Sequence, residues 1–186
     1  MYLWIIVGII GIVVLYLIVV YNSLIVLKTR SEEAWSDIDV QLKRRYDLIP
    51  NLVNAVKGYA KHEKEVFEKV TAARADAVSA KGLKERAKAE NELTKTLRSV
   101  FAVAENYPDL KASQNFLNLQ EELSETENKI EASRRFYNAN VRDLNIRIKS
   151  FPSNIVANNF KFEPKELFEL SAMQKETADK APKIEF

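Results

Sequence analysis

Met1 to Leu27 carry no charged side chain. All 28 Lys and Arg and all 26 Asp and Glu fall after Leu27. An uncharged stretch of this length leaves few choices of surroundings. Leu3 to Val20 reads LWIIVGIIGIVVLYLIVV and is almost wholly aliphatic. A bilayer core about 30 Å thick needs roughly 20 apolar residues in a helix rising about 1.5 Å each. The run therefore predicts one transmembrane helix, extendable to Leu27 with tilt or an interfacial turn. Tyr2 and Trp4 at one end, and Tyr21 and Asn22 at the other, suit interfacial anchors.

Two other readings are disfavoured. A core helix apolar on every side needs far more protein around it than the rest of the chain supplies. A cleaved signal peptide has a basic start, a 7–15-residue apolar stretch and a small-residue cleavage site. Here no Lys or Arg precedes the run, and Tyr21-Asn22-Ser23 follows it without an A-x-A pattern. The absence of cysteine excludes a lipoprotein anchor. Residues 1–27 are therefore read as a retained signal anchor of a single-pass protein of the cell membrane. Basic residues near a span mark its cytoplasmic side. Lys28, Arg30, Lys43, Arg44 and Arg45 all follow this one, which places the N-terminus outside and the bulk of the chain in the cytoplasm. Gly8 and Gly11, three apart, hint at close approach of a second helix; the usual small-residue spacing is four.

Beyond Ser31 the periodicity is helical. Trp35, Ile38, Leu42, Ile49, Val53, Val56, Ala60, Phe67 and Val70 recur at spacings that predict one face of a helix. Pro50 falls inside that stripe and predicts a kink near Asp47–Ile49, with a fresh helix capped by Asp47 as the alternative. Gly82 suits a helix C-terminus. A shorter helix is expected over about Leu83–Glu105, then a turn at Asn106-Tyr107-Pro108-Asp109. Phe116, Leu119, Leu123, Thr126, Ile130, Ser133, Tyr137, Val141, Leu144, Ile148 and Phe151 form a heptad seam of coiled-coil type, with Thr126 and Ser133 as tolerated polar gaps. Pro152 ends that helix. A short helical turn within Ser153–Phe160 follows, with Phe160 and Phe162 packing back. The fold expected is all-α: one N-terminal transmembrane helix, then an antiparallel up-and-down bundle of long helices. The divisions are 1–27 anchor, 28–162 cytoplasmic bundle and 163–186 polar tail. The tail is expected to be partly ordered at best, with Ile184 and Phe186 as apolar docking points.

Chemistry is scarce in this sequence. With no cysteine there is no disulfide, thiolate metal site or cysteine nucleophile. His62 is the lone histidine, in the charge-dense Lys61–Glu65, and reads as an exposed residue of a helix surface. Glu63, Glu65 and Glu68 pair along that surface with Lys61, Lys64 and Lys69. Glu121, Glu122, Glu125, Glu127 and Glu131 lack the histidines that a carboxylate di-iron bundle requires. No phosphate-binding glycine loop, nucleophile elbow or zincin motif is found. Lys43-Arg44-Arg45 is a short basic cluster that reads as a solvated face, or as a contact with anionic lipid. The formal net charge is +2 and bases alternate with acids, which argues against nucleic acid. No catalytic, cofactor-binding or metal-binding residue is assigned.

Several long segments resemble the LemA family of membrane-anchored proteins. They are Glu33–Arg45, Asp47–Val53, Val56–Tyr59, Glu105–Ala112, Leu119–Leu123, Thr126–Ile130, Ala132–Arg135 with Tyr137-Asn138, Phe151–Asn154, and Ala181–Phe186. The resemblance implies a single N-terminal span, a short outside terminus and an antiparallel helical bundle in the cytoplasm. It implies no enzymatic activity and no catalytic residue. Family genes often lie near that of a membrane zinc metalloprotease, which points to a membrane protein partner in quality control. Asp47, Asn51, Glu127, Asn128, Arg134 and Asn138 match motif positions and read as caps, kink support and inter-helix hydrogen bonds. The function expected is a non-enzymatic, membrane-anchored scaffold that forms homo-oligomers, contacts membrane lipid and organises or shapes the membrane. The alternative is a signalling or regulatory adaptor that recruits another protein.

Overall fold

The computed structural model describes residues 2–168. Six helices follow one another: α1 Tyr2–Lys57, α2 Lys64–Ser79, α3 Leu83–Ala104, α4 Pro108–Lys111, α5 Gln114–Lys149 and α6 Ser153–Asn159. Among the described residues there is no strand. The chain forms two compact units, and α1 and α5 each contribute to both.

Helix α1 is one uninterrupted element of 56 residues, so the apolar run continues into the bundle without a break. Pro50 lies inside it and is exposed. Asp47 is mid-helix and exposed, so it caps nothing. The buried positions are Val20, Leu24, Ser31, Ala34, Ile38, Leu42, Arg45, Tyr46, Ile49, Leu52, Val53 and Val56. From Ser31 a spine of them steps by three or four, the spacing of one helix face, and Tyr46 and Val53 widen that face by one position each. Before Val20 the apolar run is exposed throughout. An apolar core helix would be covered by protein; this one is not.

The first unit comprises residues 1–38 and 132–167. Its core joins Val20 and Leu24 of α1 to Leu144 and Ile148 of α5 and to Val156 and Ala157 of α6. Tyr21, Leu27 and Phe162 pack against that cluster. The Tyr21 ring lies 4.7 Å from that of Phe160 and 6.0 Å from that of Phe162, so these phenylalanines do pack back. Trp35 stacks obliquely on Tyr137 at 5.4 Å. Phe151, the last predicted seam residue, is 81% exposed instead, because α5 has already ended at Lys149. The Phe151–Pro152 peptide bond is cis. The Ser153 hydroxyl reaches the carbonyls of Arg147 at 2.7 Å and Ser150 at 2.9 Å, which fastens the start of α6 to the end of α5.

Past α6 the chain is tied down through Lys165. Its N–H donates to Asn145 Oδ1 at 2.9 Å, and its carbonyl accepts from Asn145 Nδ2 at 2.8 Å. Its ammonium donates to Ser31 Oγ at 2.8 Å and meets the Glu32 carboxylate at 3.2 Å. The Tyr137 hydroxyl donates to the Glu166 carbonyl at 3.0 Å. The predicted tail is therefore ordered at its start. The docking expected of Ile184 and Phe186 lies outside the described residues.

The second unit comprises residues 39–131 with Phe168. Here α1 stops at Lys57, and the single stripe predicted from Trp35 to Val70 divides between two helices. The N–H groups of Tyr59 and Ala60 both turn back to the Val56 carbonyl, at 3.0 and 2.9 Å, which tightens and closes the last turn. Phe67, Val70, Ala73 and Ala77 form the buried face of α2. Alanine at two of these positions lets α2 and α3 approach closely. Gly82 corrects the sequence reading: α2 already ends at Ser79 with Ala80 as its C-cap, and Gly82 precedes α3 as its N-cap with φ +79° and ψ 162°. That backbone region is open almost only to glycine. Of the turn predicted at Asn106-Tyr107-Pro108-Asp109, only the first two residues are outside helix; Pro108 and Asp109 already open the short α4, whose Leu110 is fully buried. Phe101 and Phe116 meet edge-on at 6.3 Å.

Candidate functional site

The most concentrated chemistry lies inside the second unit. Arg45, on the buried face of α1, has a side chain only 2% exposed. Its Nη2 donates to Glu90 Oε2, and the Glu90 side chain is 4% exposed. Its Nη1 donates to Glu127 Oε2 at 2.5 Å and to Thr94 Oγ1 at 3.1 Å. The Thr94 hydroxyl lies 3.4 Å from the other Glu127 oxygen. Next to Arg45, Tyr46 donates its hydroxyl to Glu90 Oε1. Four helices thus converge: α1 gives Arg45 and Tyr46, α3 gives Glu90 and Thr94, α5 gives Glu127, and α2 brings the Ala77 carbonyl to 3.4 Å from the Tyr46 hydroxyl. Arg74 of α2 donates from Nε to the Tyr46 carbonyl at 2.7 Å. Arg86 of α3 pairs with Asp39 of α1 at 2.6 Å.

Both Glu90 oxygens are engaged, one by a guanidinium and one by a phenol. A carboxylate that accepts a donor on each oxygen and is shut away from solvent is badly placed to act as a general base. Burial pushes the Tyr46 phenol above its ordinary range, although the guanidiniums of Arg45, Arg86 and Arg74 pull it back. The phenol therefore stays protonated and stays a donor. The arrangement does the work of a clamp: a charge that cannot leave its partners fixes the register of three helices.

The residues singled out from the sequence separate on this geometry. Glu127 joins the clamp, while Asp47, Asn51 and Asn128 are exposed. Lys43 and Arg44 are exposed, but Arg45 is not part of any solvated basic face; helical spacing turns it inward, four residues before Ile49 and three after Leu42. His62 is exposed as expected, in the turn between α1 and α2 rather than on a helix. The Thr126 hydroxyl is buried and satisfied locally, donating to the Glu122 carbonyl at 2.7 Å. Among the described residues no three His, Cys, Asp or Glu side chains gather to hold a metal. Sequence reasoning missed Glu90, Tyr46 and the role of Arg45. A signal was present: the α1 stripe steps by seven from Leu42 to Ile49, and Arg45 fills the missing core slot. Glu90 fills a similar slot between Ala87 and Leu93 in α3.

In the first unit, two clefts flank Tyr21. One, about 840 Å³, is walled by Leu17, Ile18 and Tyr21 of α1 and by Ile155, Val156 and Phe160. The other, about 460 Å³, is more polar, with Lys28, Lys161 and Lys165 around Tyr21 and Phe162. Tyr137 in this unit is also raised above the usual phenol range, by burial first and then by the nearby Glu166 carboxylate.

The chain is similar in sequence to several known proteins. Protein LemA of Metamycoplasma hominis is 28% identical over 165 residues, covering 85% of this chain and 73% of that protein. The magnetosome proteins MamQ 1 and MamQ 2 of Paramagnetospirillum magneticum are each 24% identical over 175 residues, covering 80% of this chain. The match covers 64% of each MamQ protein, so the chain spans less than two thirds of their length. One described helix, α1, is long and apolar enough to cross a membrane, and the chain is a membrane-associated protein. The pattern that defines the LemA family runs from residue 34 to residue 186, across the clamp and both long helices of the bundle, and the chain belongs to that family.

Proposed function

We propose that this chain is a non-enzymatic, membrane-anchored helical scaffold that self-associates. In this reading residues 3–20 cross the cytoplasmic membrane with the N-terminus outside, and the remainder works at the inner face. The observation that carries it is α1 itself. An exposed apolar span runs without a break into the face that builds the helical core. The densest polar cluster is spent on mutual pairing, which supports a structural role over a catalytic one. Copies anchored in parallel in one membrane meet at high effective concentration, so weak lateral contacts suffice for assembly.

Light scattering on the full chain in mild detergent, over a range of protein concentrations, tests the assembly. A discrete oligomer supports the scaffold; a monomer at every concentration sinks it. A reporter fused after Phe186 tests orientation, because exposure on the outside reverses the topology.

The unbroken α1 also favours a second reading, an adaptor that relays a change in the span to a recruited protein. In-membrane crosslinking separates the two. Adducts with one recurring second protein favour the adaptor, and self-adducts alone favour the scaffold.

A further inference from the structure

Helix α6 turns apolar side chains in two directions. Val156 and Ala157 are buried with Val20 and Leu24. Ile155 is 60% exposed and Phe160 53% exposed. Phe151, in the turn just before α6, is more exposed still. Three large apolar side chains left bare on one short segment are costly in water and mark a contact surface. Their location identifies the contact. The cleft that Ile155 and Phe160 help to wall has Leu17 and Ile18 on its other side. Those two residues belong to the last turn of the apolar run. Whatever medium bathes Leu17 and Ile18 therefore also bathes Ile155 and Phe160.

The polar groups next to this patch are those a lipid headgroup would meet. Lys28 and Lys161 line the neighbouring cleft, with Glu163 as the acidic residue beside them. Lys165 is already committed to Ser31 and Glu32. Lys28 follows Val20 by eight residues, about 12 Å along a helix, within side-chain reach of the headgroup layer. Lys161 sits at φ 55°, a conformation that glycine adopts more easily. Its backbone follows from the close of α6, where the Phe162 N–H returns to the Ala157 carbonyl at 2.9 Å. Tyr21, stacked on Phe160, has the amphipathic character favoured at the lipid–water boundary.

We propose that α6 is an interfacial foot. Phe151, Ile155 and Phe160 insert at the edge of the bilayer, and Lys28 and Lys161 face the phosphates of anionic lipids. The protein would then hold the membrane at two points, the span and the foot. This proposal rests on reading residues 3–20 as a membrane span.

The chain has no cysteine, so one introduced cysteine gives a unique label position. Ile155→Cys and Phe160→Cys full-length chains carry a nitroxide and are reconstituted into phosphatidylcholine–phosphatidylglycerol vesicles. Collisions with oxygen, which enriches in lipid, are compared with collisions with a water-soluble nickel chelate. Val13→Cys reports the span, and Phe136→Cys reports an exposed apolar position about 18 Å back along α5 from Ile148. The expected result is an oxygen-to-nickel ratio at 155 and 160 several-fold above that at 136 and below that at 13. In vesicles of phosphatidylcholine alone the ratio at 160 falls. Ratios at 155 and 160 equal to that at 136, with 13 still lipid-like, overturn the foot and leave the span intact. A water-like ratio at 13 overturns the span reading and the foot with it. Strong dipolar broadening between labels at 155 assigns the patch to a second copy and overturns the lipid contact. An unchanged ratio in neutral vesicles overturns the role of Lys28 and Lys161.

Discussion

Arg45 and Glu90 lie 45 residues apart in the chain and meet as an ion pair shut away from solvent. Removing one member of such a pair strands the other charge, at a cost of about 3–5 kcal/mol. Arg45→Ala should destabilise the bundle by that amount, and Glu90→Ala by less, because Glu127 still holds the guanidinium. Arg45→Lys should recover only part, because an ammonium cannot span Glu90, Glu127 and Thr94 in one fork. Urea denaturation of the full chain in mild detergent, followed by circular dichroism, measures the loss. A change under about 1 kcal/mol for Arg45→Ala, the scale of an exposed pair, would falsify the clamp.

Tyr46 gives the clamp a pH dependence at the alkaline end. Its folded-state pKa is raised, mainly by burial. The folded protein therefore favours the neutral phenol. That contribution is complete below the unfolded phenol value, about 10, and is lost as pH rises through the higher folded value. Stability should fall over this alkaline window, and less steeply in Tyr46→Phe. At neutral pH the same substitution should cost about 1–3 kcal/mol, since Glu90 Oε1 loses its donor. Tyr137 is raised as well, so Tyr137→Phe should remove a separate share of the alkaline loss. Melting temperatures across the window for the three proteins decide this, and identical slopes would dismiss it.

Gly82 and Gly58 should respond differently to alanine. Gly82 holds a φ of +79° that side chains rarely adopt, so Gly82→Ala should cost about 1–3 kcal/mol. A Cβ on Gly58 would meet only the Ala55 carbonyl oxygen at 3.5 Å, an ordinary contact. Gly58→Ala should stay within about 1 kcal/mol of the parent. Chemical denaturation of the two variants checks the contrast; equal losses would remove the backbone explanation.

Gly8 and Gly11 test whether copies of α1 meet through their apolar run. A Cβ at either position has nothing within 4 Å. Gly8→Leu and Gly11→Leu should therefore leave the fold of a single chain unchanged. If copies pair through this face, the bulk of leucine should shift the detergent-solubilised protein toward monomer. Particle mass by light scattering reads the outcome, and an unaltered mass clears the glycine face of any part in assembly.

The sequence exposed the span, the long seam of α5 and the limits of α3 because each is a sustained pattern of apolar spacing. It was less clear where a pattern crosses a break. The stripe from Trp35 to Val70 keeps its character on both sides of Gly58, so nothing in its period announced that two helices share it. Gly82 could be recognised as punctuation, but whether it closes one helix or opens the next depends on a φ, ψ pair that spacing does not encode. The clamp was hidden for another reason. Arg45 lies beside Lys43 and Arg44 in sequence, and adjacency suggests a basic surface. Helical geometry separates neighbours by about 100° around the axis, so one of three adjacent cations can face the core. Lys165 was unreadable, because its partners Asn145, Ser31 and Glu32 are distant in the chain.

The mutual commitment of Arg45, Glu90 and Glu127 also bears on how such a sequence can change over generations. Replacing Arg45 alone leaves the buried Glu90 carboxylate without its cation, whereas simultaneous replacement of the pair by apolar groups does not. The positions of Arg45 and Glu90 should therefore change together. Relatives that lack an arginine at the position of Arg45 should also lack the carboxylate at that of Glu90, and sequences with only one of the two should be rare.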